Sequence, residues 1–588
     1  MFSCLFCEIF LTAKDIMMKN LSSFFRKTAA VLLVAAMMTT PALSAIPVEY
    51  WQYHQPFTDA SAALDYKNIL HYGALIEEIM LRYPLDTDTG AILGNVYSRS
   101  ANAYTVLAQY EKAAEMHRKY IPYAEFLGFK DAVIVSTAAA RRLDVNTMVY
   151  VETADTSVVP DYNALHEPDS GIYFGRVSET SQKNESAALF YFEFLDDKLS
   201  DYAWHLDPIA KEGNRAIEIC MNMPRENDSL KQVMDPKNDA YIVDTMKYIA
   251  TLGCPVLLRI GGEMNVWGNL ADPELFKQAF IKIVTAAREY APNAAAVFAP
   301  NFASNFYAKV SDYYPGDEYV DWVGVSLYAT AYMDAATQRT ANDAEKIFYS
   351  NGEYANMIAQ MAEIVELYGD RKPIMITESG VSHSIVKETD NAKVDLGSFA
   401  AKQMEIFYTY VNMVYPQVKC IMYFDTNFGE ANEYDFSLSG SPDLEALYNN
   451  LTADSVYSTG VGDKAEKAYV KAYDYKGTDA LLRLHTYAVL PGLPETTVTY
   501  SLDGTVICTT KTMPYTCEIV PANIADGEHS LVVSVSAANG YAKTMEYKLT
   551  KAEGAVTIID PVVEAERAAA AAQAAAEAAA QTTAPQGA

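Results

Sequence analysis

From residue 46 to 143, apolar and aromatic side chains return every three or four positions. Ala101, Tyr104, Leu107, Tyr110, Ala113 and Ala114 lead on to Tyr120, Tyr123 and Phe126. That is the period of helices with one buried face, and it predicts an α-helical domain over 46–150 that packs on the next domain. From about 160 to 455 the rhythm changes. Eight short apolar runs begin at Gly171, Ala187, Ala216, Pro255, Ala294, Val320, Pro373 and Cys420, with amphipathic stretches such as 272–284 and 354–365 between them. Eight strands alternating with helices over this length predict a (β/α)8 barrel of the α/β class. An open doubly wound sheet is the alternative, but no glycine-rich phosphate loop follows the first run. Beyond 468 the period drops to two, and alternating segments meet at Asp503-Gly504 and Asp526-Gly527. Such turns between alternating strands predict a β-sandwich over 468–551. Residues 552–588 are almost all alanine with a few Glu and Gln, a helix that frays or a flexible tail.

The bulk properties narrow the partners. A chain of 588 residues exceeds what one core supports, so several domains are expected. The formal charge of −30 repels nucleic acid and anionic lipid alike, and leaves a neutral polysaccharide unaffected. Lys19, Arg26 and Lys27 precede the apolar run 29–38, and Ala42-Leu-Ser-Ala45 supplies small residues for cleavage. Residues 1–45 therefore read as an export signal, with Met17 or Met18 as alternative starts. The run is too short to remain as a membrane anchor, so no membrane insertion is expected after cleavage. Cys4 and Cys7 would leave with the signal, and Cys220, Cys254 and Cys420 sit in or beside strands as buried small hydrophobes. Cys508 and Cys517 flank a turn, where export would leave them either bridged or free.

The chemistry gathers at two strand ends. Cys254-Pro-Val-Leu-Leu-Arg259-Ile-Gly-Gly262-Glu263-Met-Asn265-Val-Trp267 is an apolar run that ends in glycines, a carboxylate, an amide and a tryptophan. Lys372-Pro-Ile-Met-Ile-Thr-Glu378-Ser-Gly repeats the design. In a barrel, groups just past the strands share one mouth. Glycosidic hydrolysis needs a carboxylic acid to protonate the leaving oxygen and a carboxylate to attack or to activate water, which Glu263 and Glu378 can supply. Glu193, Asp196 and Asp197 follow the second run and read as hydroxyl binders or helix caps. His166, His205 and His383 have no ligand spacing, so neither metal nor cofactor is expected.

Four segments give the barrel a family likeness: Arg259-Ile-Gly-Gly-Glu263-Met-Asn265-Val-Trp267, Phe298-Ala-Pro-Asn301, Tyr319-Val-Asp-Trp322-Val-Gly-Val-Ser-Leu-Tyr328 and Ile376-Thr-Glu378-Ser-Gly380. Together they resemble clan A glycoside hydrolases, retaining enzymes on TIM barrels, and within the clan family 26, the endo-β-mannanase group that also holds β-glucanases and xylanases. The resemblance implies that Glu263 is the acid/base after strand four and Glu378 the nucleophile after strand seven. Tyr328 would hydrogen-bond Glu378, Arg259 would orient the acidic pair, and Trp267 and Tyr332 would offer flat faces to sugar rings. Asn265, Asn301, Phe424 and Asp425 complete the implied substrate contacts. Family members usually carry His before the acid/base, where this chain has Gly262, and a tryptophan platform after strand eight, where it has Phe424-Asp425. The implied carboxyl separation is about 5–5.5 Å, the retaining distance.

Two flanks carry weaker likenesses. The helical segment is faintly similar to tetratricopeptide hairpins, without a clean repeat, and would offer contacts to a cell surface or a protein. The last domain resembles bacterial immunoglobulin-like modules through Tyr500, Asp503-Gly504, Pro514-Tyr515 and Asp526-Gly527-Glu-His529. The expectation for the whole is a secreted or cell-surface retaining endo-β-glycosidase on a mannan-like or β-glucan-like chain. Its alternative is a non-catalytic carbohydrate-binding or scaffolding protein on a degenerate barrel.

Overall fold

The computed structural model describes residues 46–224, 228–266, 272–301, 309–330, 356–386, 391–427 and 434–583. The export signal read over 1–45 lies outside them, as do Trp267 and Tyr332. Five helices come first: α1 (Val48–Ala62), α2 (Tyr66–Met80), α3 (Thr87–Val106), α4 (Tyr110–Phe126) and α5 (Lys130–Leu143). Asp65 and Asp86 cap α2 and α3 by accepting the backbone N–H groups of Asn68 and Thr89, which ends the chain's extended entry into each helix. Of the apolar stripe seen in the sequence, Ala101, Tyr110, Ala113, Ala114 and Tyr120 are buried, Tyr104, Leu107 and Tyr123 are half-buried, and Phe126 at the end of α4 is exposed.

Eight parallel strands then close on themselves: β2 (Ile172–Val177), β3 (Ala187–Glu193), β4 (Ala216–Asn222), β5 (Val256–Ile260), β6 (Ala294–Phe298), β7 (Trp322–Ala329), β8 (Ile374–Val381) and β9 (Val418–Tyr423). The pairing of Cys420–Tyr423 with Tyr173–Arg176 joins the last strand to the first. Each strand reads as an unbroken hydrophobic run because both faces are covered. Leu189, Leu257, Val297, Trp322 and Met375 belong to the cluster inside the barrel, while Phe190, Leu258, Phe298, Val323 and Ile376 pack outward against the helices. The chain is therefore α/β with a closed (β/α)8 barrel, preceded by helices.

The strand that the sequence reading did not separate from the helical segment is β1 (Met148–Thr153). It lies between β10 (Ala468–Lys471) and β11 (Leu482–Tyr487), antiparallel to both. The barrel is thus inserted between one strand of a sheet and the rest of it. β14 (Cys517–Ile519) completes this four-stranded sheet. The facing sheet holds β12 (Thr496–Leu502), β13 (Thr505–Thr510), β15 (Gly527–Ala537), β16 (Ala542–Ala552) and β17 (Ala555–Ile559), with Lys476–Gly477 at its edge. Val149 and Val151 of β1 share a core with Tyr500, Val533 and Leu549 of the facing sheet, and with Tyr110 and Ala114 of α4. The two sheets are consistent with a β-sandwich. Cys508 and Cys517 are free thiols here. A terminal helix, Pro561–Thr583, follows, and Arg567 ties its start to Asp474 at 2.7 Å.

Contacts between the parts are polar as well as apolar. The Tyr110 hydroxyl donates to the Pro491 carbonyl at 3.0 Å, and a barrel helix sends the Tyr410 hydroxyl to the Thr486 carbonyl at 3.0 Å. On β1, Glu152 meets Arg483 at 3.0 Å, His485 at 3.5 Å and Lys467 at 3.7 Å. The hydrogen bond with His485 leads the causes that pull its carboxyl down to about 2, against an opposing push from burial. A depressed carboxyl stabilises the fold above the unfolded value and loses that contribution as pH falls through the folded one. Glu152→Gln should therefore lower Tm by roughly a few degrees at pH 7, with the gap closing between pH 4.5 and 2 in a melting series. A gap that stays constant across that range would show that Glu152 acts only by its shape.

Candidate active site

Strand parity decides which side chains reach the barrel's interior. Successive residues point to opposite faces, so on β4 the partners of the inward Ala216 and Cys220 are Glu218 and Asn222. On β5 the parity of Leu257 brings in Arg259, and on β7 that of Trp322 brings in Ser326 and Tyr328. Strict alternation on β8 from Met375 would turn Glu378 outward. Instead the pairing jumps from Val325↔Ile376 to Ser326↔Glu378, so Thr377 is an extra residue. A bulge of this kind bends a strand and re-aims the next side chain. Gly324 makes it fit, because a Cβ there would stand 2.5 Å from the Thr377 methyl.

The re-aimed Glu378 is held at both oxygens. Oε1 accepts a short, charge-assisted hydrogen bond from Arg259 Nη1, and Oε2 accepts from the Tyr328 hydroxyl at 2.6 Å. Arg259 is 1% exposed and also donates from Nη2 to Ser326 Oγ at 3.1 Å. Burial works against its charge, yet Glu378 first and Glu218 among the others hold the guanidinium firmly protonated. The Tyr328 hydroxyl is pushed well above the usual phenol range by burial and then by the charges of Glu378 and Glu263, so it remains a donor.

Glu263 sits just past β5 with φ 55, the left-handed region, and its N–H donates to the Ala299 carbonyl at 2.8 Å. Few non-glycine residues adopt this conformation. Asn301 Nδ2 donates to Glu263 Oε1 at 3.1 Å. Asn265 in turn locks Asn301, accepting its N–H at 2.8 Å and donating to its carbonyl at 3.3 Å. Asn265 is fully buried, so it positions Asn301 rather than facing the mouth. Asn301, which holds Glu263, bridges Ser326, and Ser326 accepts from the same Arg259 that holds Glu378, so the two carboxylates are linked through the ends of neighbouring strands.

The other expected residues divide. Phe424 lines the same wall, edge-on to Tyr191 and Tyr328 with ring centres 6.2 and 6.1 Å away. Asp425 does not stand as a free charge beside the site. Its Oδ1 accepts the Leu438 N–H at 2.6 Å, and Oδ2 lies 3.4 Å from Arg176, which pairs with Glu185 at 2.6 Å. Asp425 thus ties the end of β9 to the end of β2. His383 is bound to the Ser437 carbonyl at 2.9 Å, His166 to the Asn293 carbonyl at 2.8 Å and His205 to Ser178 at 2.9 Å. Asp197 accepts the Glu193 N–H at 2.8 Å and so closes a turn, while Glu193 accepts from Asn222 at 3.1 Å. Trp267 and Tyr332 lie outside the described residues.

Sequence reasoning missed Glu218, Ser326 and Tyr191, though parity points to each of them. Glu218 was the clearest signal, a charge in the middle of an otherwise apolar run. It is wholly buried, lies 3.8 Å from Arg259 Nη1, and neither carboxylate oxygen has a hydrogen-bond partner among the described residues. Burial lifts its carboxyl well above the ordinary range; Arg259 opposes and Glu378 adds to the lift. A raised carboxyl favours the fold below the unfolded value and loses that benefit as pH rises toward the folded one. Glu218→Gln should therefore melt at a temperature that rises relative to the unmodified protein between pH 4 and 8. A falling difference would mean that Glu218 is buried as an anion.

Residues 212–395 match the family described as Glycosyl hydrolase family 26. That span runs from before β4 to past β8 and contains Glu218, Arg259, Glu263, Asn301, Tyr328 and Glu378. Among solved structures, a GH26 β-mannanase from Bacteroides ovatus is 15% identical, with 53% of this chain and 97% of that one covered and a TM-score of 0.35. A β-glucuronidase from Bacteroides uniformis is 10% identical over 63% of this chain and 42% of its own, with a TM-score of 0.29. Cel5A of Thermotoga maritima, solved with cellobiose, is 11% identical over 46% and 84%, with a TM-score of 0.28. No curated protein matches. The family match over residues 212–395, inside a closed eight-stranded parallel barrel, supports a glycoside hydrolase.

Proposed function

We propose that the chain is a secreted, retaining, endo-acting β-glycosidase on a mannan-like or β-glucan-like polysaccharide. The observation that carries the reading is a carboxylate, Glu378, gripped by Arg259 and Tyr328, in one mouth with Glu263 held by Asn301. Export is supported by the charge, apolar and small-residue order of residues 1–45. No helix among the described residues is long and apolar enough to cross a membrane.

In this mechanism Glu378 attacks the anomeric carbon while Glu263, as the acid, gives its proton to the departing glycosidic oxygen. The carbon–oxygen bond to the leaving sugar breaks and a glycosyl ester forms on Glu378. Glu263, now a carboxylate, takes a proton from water as the water oxygen attacks the same carbon. The ester bond breaks and Glu378 is released as a carboxylate. Two inversions give net retention. Arg259 and Tyr328 fix the attacking oxygen in line, which supplies orientation before the reaction begins. Phe424 offers an apolar edge to the sugar, with Trp267 and Tyr332 as the further aromatic contacts.

Reducing-sugar release from mannan, mixed-linkage glucan and xylan would name the substrate. Glu378→Ala should then lower kcat by roughly four orders of magnitude or more, and azide should restore turnover of an activated glycoside. Glu263→Gln should cost about 10²–10⁴-fold on natural chains and far less when the leaving group needs no proton. Hydrolysis that persists unchanged in Glu378→Ala would sink the assignment.

A further inference from the structure

Position 262 lies between the barrel strand that carries Arg259 and the acid/base candidate, and it has no side chain. Its neighbour Gly261 needs to be glycine for its backbone, with φ 57. Gly262 does not, because its φ lies outside the left-handed region and any residue could adopt it. What excludes a side chain is a neighbour. A Cβ on residue 262 would stand 2.4 Å from Arg259 Nε, 2.7 Å from Cζ and 2.8 Å from Nη2, all closer than atoms in contact allow.

An exposed arginine would swing aside from such a clash, but this one has nowhere to go. It is 1% exposed, Nη1 is bound to Glu378, Nη2 is bound to Ser326, and Glu218 closes the inner side at 3.8 Å. Moving the guanidinium would leave a buried cation without its partners and Glu378 with one hydrogen bond out of two. Arg259 Nε, without a hydrogen-bond partner among the described residues, stands 2.4 Å from the place a residue-262 Cβ would take. The guanidinium thus fills the volume in which a residue-262 side chain would begin.

We infer that Gly262 is a positioning residue: its missing side chain is the seat of the Arg259 guanidinium, and through Arg259 it fixes Glu378 for attack. In this chain the guanidinium of Arg259 stands where the side chain of the histidine that the family resemblance leads one to expect would begin. The inference rests on the proposed role of Glu378, and the departure at 262 becomes one half of a matched pair with Arg259.

The test is a double-mutant cycle in the full chain with Gly262→Ala, Arg259→Ala and both together, on the polysaccharide from which the unmodified protein releases reducing ends. Gly262→Ala should lower kcat by about 100-fold with KM nearly unchanged, the size expected for a reacting group displaced by an ångström. In the Arg259→Ala background the same change should cost less than about twofold, since nothing is left to collide with. Gly262→His should lose as much as Gly262→Ala or more. Independent costs that multiply in the double variant, or a Gly262→His protein as active as the unmodified one, would overturn the inference. Melting and crystallography of Gly262→Ala need no activity. Expected are a lowered Tm that Arg259→Ala abolishes as a difference, and a guanidinium shifted off Glu378; an unmoved guanidinium would refute the seat. If the unmodified chain hydrolyses nothing, the functional reading fails while these structural outcomes still decide the seat.

Discussion

One buried cation organises the barrel's interior. A guanidinium that is 1% exposed must have its charge met, or it costs more than the fold can bear. Arg259 has its charge met by Glu378, donates to Ser326 and lies near Glu218. Each partner then imposes a demand of its own. Glu378 reaches the arginine only through the extra residue Thr377, and Thr377 has room only because residue 324 is glycine. Glu218 is tolerated at full burial only beside the arginine. Glu378 is therefore held by packing as much as by hydrogen bonds, which is the rigidity that a working site requires.

The rest of the molecule keeps that interior closed. A barrel is fixed only when its last strand finds its first, and here the seam of β9 and β2 is reinforced at the mouth by Arg176, Glu185 and Asp425. Arg176 also lies 4.9 Å over the Tyr448 ring, whose face meets part of this second buried charge. The insertion of the barrel between β1 and β11 ties both of its chain ends to one sheet. Tyr410 on a barrel helix and Tyr110 on α4 bring hydroxyls to carbonyls of that same C-terminal region, so helices, barrel and sheets share their boundaries.

Much of this was legible in the sequence, and the exceptions have physical reasons. All eight barrel strands announced themselves because parallel strands buried on both faces read as unbroken apolar runs. The neighbourhood of Glu263 and Glu378 followed from their places just after two such runs. The strand β1 was hidden, since its partners begin more than 300 residues later at Ala468 and no local pattern marks a pairing of that reach. The bulge at Thr377 was hidden for a related reason: a run of apolar residues does not state its parity. Gly262, read along the chain, is only the place where family members usually carry His. In space it faces an arginine three residues earlier. Asp425 was expected among the substrate contacts, because nothing local reveals its partner Arg176, 249 positions away across the barrel's seam.

The role proposed for Glu378, aimed inward by the bulge and gripped by Arg259 and Tyr328, is to form the covalent glycosyl ester. The direct measurement is to inactivate the protein with an activated 2-deoxy-2-fluoro-β-glycoside of the sugar it cleaves, digest it and map the labelled peptide by mass spectrometry. One sugar per chain, esterified to Glu378, is the expected result. A label on any other residue, or turnover that releases the inverted anomer with no label at all, would contradict it.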